Sequence, residues 1–214
     1  MDRDATRTTF WLRQREFAIA VGVAHGMDMM PEFQDLSRFR VPSGYRARGG
    51  LVVLLWQLVQ ATLFGMSPQP FYAWRRTLLR LFGAKVGSEV RVRPTARVTY
   101  PWKVQIGEWS WIGDHVELYS LDCITIGCHV VVSQGSYLCT GSHDHRDVSF
   151  SYKNSPIVLE DQTWIASDVF VGPGVTVGRA AVVGARSTVL RNIDKETIAF
   201  GSPAMPRGKR MRDD

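Results

Sequence analysis

A mainly β fold, a parallel β-helix of stacked three-sided coils preceded by a helical segment, is predicted by three features of this 214-residue sequence. Aliphatic residues recur at every sixth position from Val86 onward, small residues or glycines often follow them, and the stretch before Val86 carries longer apolar runs instead. A composition of 45% hydrophobic and 21% charged residues is that of a folded chain, which excludes intrinsic disorder, collagen and coiled coil.

Residues 1–33 come first and read as an amino-terminal extension, disordered in this reading. Their mildly apolar run from Phe17 to Ala24 is too short for a secretory signal and lacks a small-residue cleavage site. Met27, Met29 and Met30 offer alternative translation starts, in which case the residues before them are not part of the native protein.

Residues 34–85 form a helical accessory segment with one or two helices. The run LVVLLWQLVQATLFGM, Leu51 to Met66, falls short of the ~20 residues that span a bilayer. Capping the end of the main domain is the favoured reading. Its rival uses Arg46, Arg48, Arg75, Arg76 and Arg80, which flank the run, and lays residues 46–80 on an anionic membrane face.

Residues 86–200 carry the repeat. Its registers run Val86, Val92, Val98, Val104, then Ile106, Ile112, Leu118, Ile124, then Ile126, Val132, Leu138. The longest is Leu159, Ile165, Val171, Val177, Val183, Val189. Neither a 3.6-residue helix nor a two-residue strand alternation has this period. Three hexads make one coil of about 18 residues, with the aliphatic residue of each pointing into a narrow lumen. Coils stacked ~4.8 Å apart place each inward residue on another, so the core is a column. Glycines such as Gly107, Gly113, Gly127, Gly172, Gly178 and Gly184 are expected to supply the backbone angles of tight corners. Residues 201–214 end the chain as a basic tail.

The charge is unevenly spread. The net +6 divides into a basic segment over 1–103, an acidic one over 104–206 and a short basic end. Twenty-one of the 26 basic residues are arginine, which suits phosphate contact. No nucleic-acid motif accompanies them, so nucleic acid is not an expected partner. Cys123, Cys128 and Cys139 are odd in number and contain no CxxC, which argues against a disulfide framework and fits a reducing cytosol.

The repeat resembles that of the hexapeptide-repeat acyltransferases, which implies a left-handed parallel β-helix, here of about five coils. Trp164-Ile165-Ala166, Pro173 to Gly178, Val183-Gly184-Ala185 and Gly201-Ser202-Pro203-Ala204 are similar to the carboxy-terminal signature of the sugar O-acetyltransferase branch. Gln34 to Phe39, Leu79 to Ala84 and Tyr100-Pro101-Trp102 resemble the narrower group of colanic-acid-type exopolysaccharide biosynthesis. The resemblance implies acetyl-CoA as co-substrate, no metal, a sugar or glycan acceptor in nucleotide-linked or lipid-linked form, and a homotrimer. A cytoplasmic protein, associated with the inner face of the cytoplasmic membrane if residues 46–80 touch lipid, is the expected location.

The register breaks after Leu138 and resumes only past Pro156, so a loop over 142–156 leaves the scaffold carrying His143 and His145. Loops on a rigid frame commonly carry function. The family's Thr-Gly-x-His-like histidine corresponds to His143. Acetyl transfer to an alcohol needs a base for the hydroxyl proton, and imidazole, with a pKa near 6.5, suits the task. His145 is the alternative base. The second ring nitrogen needs an acceptor, with Asp122 and a backbone carbonyl both candidates. His115 and His129 read as solvated corner residues. The family's asparagine near the acceptor is missing from Tyr119-Ser120-Leu121-Asp122, and an oxyanion would draw on backbone N–H groups or a hydroxyl such as that of Ser142. By resemblance Trp164, Ala166, Ser167, Ala185 and Arg191 hold the cofactor, with Arg207, Lys209, Arg210 and Arg212 either supplementing the charge or fraying as a terminus. Two rival functions follow from the same fold: a zinc-dependent carbonic-anhydrase-like protein using the scattered histidines, and a glycan-binding β-helix without chemistry.

Overall fold

Three columns of aliphatic side chains run the length of the solenoid, one behind each side. The computed structural model describes residues 33–211, so the expectations for residues 1–32 and Arg212 lie outside the described residues. Side one stacks Lys85–Val86, Val104–Ile106, Ile124–Ile126, Ile157–Leu159 and Thr176–Val177 as parallel strands. Their inward residues Val86, Ile106, Ile126, Leu159 and Val177 are successive ladder partners, and a bridge from Val177 to Ile193 extends the column. Side two aligns Val92, Ile112, Val132, Ile165, Val183 and Ala199 in the same way. Side three aligns Val98, Leu118, Leu138, Val171 and Val189.

All these residues are buried in one continuous cluster. Fully burying each contributes about 1.5–3 kcal/mol. Five complete turns and a sixth, formed by Ile193 and the strand Thr197–Phe200, make about six turns, where the hexads predicted about five.

The glycines act differently from the expectation. Left-handed backbone angles at the described corners fall mostly on other residues, among them Glu89, Trp109, His115, His129, Gln162, Asp168, Ala180 and Arg186, with φ between 54° and 63°. Gly107, Gly113, Gly127, Gly178 and Gly184 do not have positive φ. A Cβ at Gly107 would stand 2.5 Å from the Gly127 carbonyl carbon, and one at Gly113 2.7 Å from the Gln134 nitrogen. These glycines let one coil lie directly on the next; the demand is close approach rather than dihedral freedom.

Solenoid ends expose unpaired strand groups, which invite further pairing. Here the accessory segment covers them with side chains. Its helices are α1 (Gly50–Val59), continued by a π-helical stretch Gln60–Phe64, and α2 (Tyr72–Leu81). On side three, Trp56 Nε1 donates to Val98 O at 2.7 Å, and Val98 N donates to Gln60 Oε1 at 2.7 Å. On side two, Arg75 Nε donates to Val92 O at 2.6 Å and Arg76 Nη1 to Val90 O at 2.9 Å. On side one, Arg80 donates to Val86 O and Gly87 O, both at 2.9 Å. Trp56, Phe64, Leu78 and Leu79 join the solenoid core. The guanidinium groups of Arg75, Arg76 and Arg80, which the rival reading turned toward a membrane, here serve backbone carbonyls, as the favoured capping reading requires.

Arg75 is fully buried, and its recorded partners are neutral. It also donates to Ser67 Oγ, Pro68 O and Gln69 O and lies over the Tyr72 ring. Burial pushes its pKa down, yet carbonyl oxygens satisfy the guanidinium without a counter-charge. At the other end Met205–Lys209 pairs antiparallel with Thr197–Phe200, so the tail is a strand up to Lys209 rather than a frayed end.

Candidate active site

Among the described residues the solenoid opens on the edge between sides three and one. The chain leaves after Tyr137–Cys139 and re-enters at Ile157–Leu159, while Ile126 still pairs directly with Leu159. The excursion therefore does not disturb the stack beneath it. A bridge between His143 and Tyr152 closes the loop as an antiparallel pair, with Ser142 O accepting from Lys153 N and Ser151 O from Asp144 N.

His143 is half-buried, and its Nδ1 lies 2.7 Å from the carbonyl oxygen of Phe150. A carbonyl oxygen only accepts, so Nδ1 carries the hydrogen. In the neutral ring the lone pair is then on Nε2, which makes Nε2 the basic nitrogen. Between the two acceptors considered for the ring, the structure places the backbone carbonyl at Nδ1. The Asp122 carboxylate instead accepts from Cys123 N at 2.7 Å, and Asp122 N donates to Thr140 Oγ1. His145, two positions on, is exposed, as are the corner residues His115 and His129.

An aromatic cage fixes the ring. Phe150 stacks on His143 at 4.2 Å with planes 9° apart, Tyr152 lies 4.8 Å away, and Phe39 from the accessory segment 5.9 Å away. Tyr45 stacks on Tyr152 at 4.4 Å, and its hydroxyl accepts from Asn154 Nδ2 at 3.2 Å. Asp35 N donates to Val148 O at 2.8 Å. Beneath them Lys103 Nζ donates to Tyr45 O and Leu121 O. Burial lowers the Lys103 pKa and raises those of Tyr45 and Tyr119. Sequence reasoning missed Phe39, Tyr45, Phe150 and Tyr152 as parts of the site. The one available signal was the density of aromatic residues in the loop and in the segment 39–45.

Within the loop, Asp147 holds Ser149 N at 2.9 Å and Ser149 Oγ at 2.7 Å. Hydrogen bonds from Ser151 and Ser149 hold its carboxyl well below the usual range, to about 2. The Ser142 amide faces Asn154 Oδ1 at 3.2 Å, so it is already engaged.

The residues expected to hold the cofactor divide between edges. Trp164 stands on the outer face of side two, half exposed, its Nε1 donating to Ser133 Oγ at 3.1 Å. Ala166 and Ser167 follow it at the edge between sides two and three, and Ala185 occupies that edge one coil on, with Arg186 N donating to Ser167 O. These small residues leave a low wall beside an upright indole, a profile that fits a thin flexible chain lying along the edge. Arg191 is exposed on the other edge, the one that carries the histidine loop, next to Asn192, whose Oδ1 accepts from Thr176 N. The structure thus brings Trp164, Ala166, Ser167 and Ala185 together and sets His143, His145, Asp122 and Arg191 on a different edge of the same prism.

In the tail, Arg210 donates to Gln162 O at 2.9 Å and Ala180 O at 3.2 Å, and Arg207 lies over the Phe200 ring. These contacts anchor the last strand. All three cysteines are free thiols. Among the described residues of one chain no group of three His, Cys, Asp or Glu side chains is placed to hold a metal ion.

No protein-family model matches the chain. Over 172 residues it is 53% identical to the putative colanic acid biosynthesis acetyltransferase WcaF of Escherichia coli K12, an alignment covering 80% of this chain and 94% of that protein. Among solved structures, the hexapeptide-repeat acetyltransferase of Vibrio cholerae O1 biovar eltor complexed with acetyl coenzyme A superposes with a TM-score of 0.72 at 25% identity, over 86% of this chain and 100% of that one. The maltose O-acetyltransferase of Clostridium difficile 630 gives 0.70 at 25% identity, over 78% and 91%.

Proposed function

The chain belongs to the family of colanic acid biosynthesis acetyltransferases within the hexapeptide-repeat enzymes, and from that premise we propose that it acetylates a sugar hydroxyl of an exopolysaccharide precursor with His143 as general base. It is an acetyl-CoA-dependent acetyltransferase; the acceptor and the residue roles are our reading. The supporting observation is the bond from His143 Nδ1 to Phe150 O, which in the neutral ring puts the lone pair on Nε2, on a loop held outside the column.

The reaction is direct transfer. As the sugar oxygen attacks the thioester carbonyl, Nε2 takes the hydroxyl proton, and the Phe150 carbonyl stabilises the imidazolium through Nδ1–H. Collapse of the tetrahedral intermediate breaks the carbon–sulfur bond, and the proton passes from Nε2 to the departing thiolate of coenzyme A. Neither a serine nor a cysteine of the chain forms a covalent intermediate in this scheme.

The pantetheine arm lies along the edge of Ala166, Ser167 and Ala185 beside Trp164. Because His143 belongs to another edge of the prism, a neighbouring copy supplies it, and a trimer with three equivalent clefts meets that need. In this arrangement Arg191 lies on the histidine side of the cleft, and Asp122 braces the coil under the loop.

His143→Ala is expected to lower turnover of acetyl-CoA by about 10²–10⁴-fold with the fold intact. His145→Ala stays near the parent rate. Near-normal activity of the His143 variant removes that residue from the role and promotes His145. Acetyl transfer tested on fractionated nucleotide sugars and lipid-linked oligosaccharides identifies the acceptor.

A further inference from the structure

Helix α1 has one exposed polar side chain, Gln57, and is otherwise apolar, although only one face is covered. Val53 and Trp56 are buried toward the solenoid, whereas Leu51, Leu54, Leu55 and Leu58 are 79%, 62%, 50% and 60% exposed. A helix hydrophobic all round is ordinarily enclosed. The exposed apolar surface continues through Leu63 and Met66 to Phe71 and Trp74, which with Pro68, Thr62 and Ser67 line an open hollow of about 670 Å³. Contiguous apolar surface on this scale marks an interaction site.

Charge decides the kind of partner. Between Asp35 and Glu89 the sequence has eight basic residues and no acidic one. Arg75, Arg76 and Arg80 are engaged by strand carbonyls, but Arg46 and Arg48 are exposed immediately before the first turn of α1. A second copy of this segment would bring no carboxylate from residues 36–88 to offset these arginines. No described helix is long and apolar enough to cross a membrane. An apolar helix face lying flat beside cations matches an interfacial element on an anionic bilayer.

We propose that the face formed by Leu51, Leu54, Leu55, Leu58, Leu63 and Met66, with Arg46 and Arg48 beside it, docks this protein onto the surface of an anionic phospholipid membrane. The leucines enter the boundary between headgroups and acyl chains, and the two guanidinium groups contact lipid phosphates. The inference does not depend on which sugar is acetylated, nor on which residue acts as base.

The test is cosedimentation of the full chain with vesicles of mixed phosphatidylglycerol and phosphatidylcholine, and with phosphatidylcholine alone. The paired substitution Leu54→Glu and Leu58→Glu alters exposed positions only and keeps residues 1–32 unchanged. Binding to the anionic vesicles, weaker binding to the neutral ones, and a loss of about tenfold or more in the paired variant are expected, with its acetyl-CoA turnover, melting temperature and mass in solution unchanged. The pair Arg46→Ser and Arg48→Ser should flatten the salt dependence of binding. Failure of the parent chain to bind, equal binding to neutral vesicles, undiminished binding by the leucine variant, or a changed mass in solution each overturns the proposal; the last would make the face a contact between subunits.

Discussion

Phe150 contributes to the site twice, through its ring under the imidazole and its carbonyl at Nδ1. His143 was visible in the sequence because the six-residue register fails around it, and a failure in so regular a pattern marks chain that leaves the column. Its partner was not, since any residue type can supply a carbonyl. Asp147 gives a test of how firmly the loop is held. Its carboxyl titrates lower in the folded loop than in an unfolded chain, so its contribution is complete above the usual aspartate range and is lost as pH falls through about 2. Amide exchange at Ser149 and Ser151 should therefore stay constant from neutral pH down to about 4, once corrected for intrinsic rates, and rise only below that. Exchange that rises between pH 7 and 5 would show that the carboxylate does not organise the loop.

At the level of elements, the hexads were legible because a strand of two or three residues per side leaves a single inward position, and burial selects aliphatic side chains there. The role of the glycines was misread because the letter reports only the missing Cβ; whether that serves a dihedral or a close contact depends on the neighbouring coil. Gly107→Ala should cost about 1–3 kcal/mol in thermal or denaturant unfolding, since the added carbon meets backbone that has no room to yield. Gly49→Ala, with nothing within 4 Å of the new carbon, should stay within about 0.5 kcal/mol. Equal effects at the two positions would remove the close-approach reading. For the arginines of α2 the sequence left two readings, a cap and a membrane face, because charge alone suggests surface. Arg75→Leu strands the buried carbonyl of Val92 and removes the donors to Pro68 O and Gln69 O, and a loss on the order of 3 kcal/mol is expected. Unchanged stability would mean that other donors already serve the strand edge.

For the whole molecule, a three-sided solenoid sets a limit on its own chemistry. Sides separated by a filled lumen do not bring their edges together within one chain, so in the proposed mechanism groups on the edge of Trp164 and groups on the edge of His143 meet across a boundary between copies. The sequence carried the family signature on both edges but not their separation, which depends on the side to which each hexad belongs and so on the position of the loop insertion. Assembly of the reactive site from two copies is the claim on which the mechanism rests. Mixing His143→Ala chains with Ala185→Trp chains, whose indole fills the low wall, tests it most directly when the two are refolded together in equal amounts. Neither variant alone should turn over acetyl-CoA, and the mixture as a whole should recover roughly a quarter of the parent rate, since random association in a closed ring leaves one intact cleft in each mixed trimer. Mixed assemblies as inactive as their components would show that one chain holds the whole site and would contradict the account.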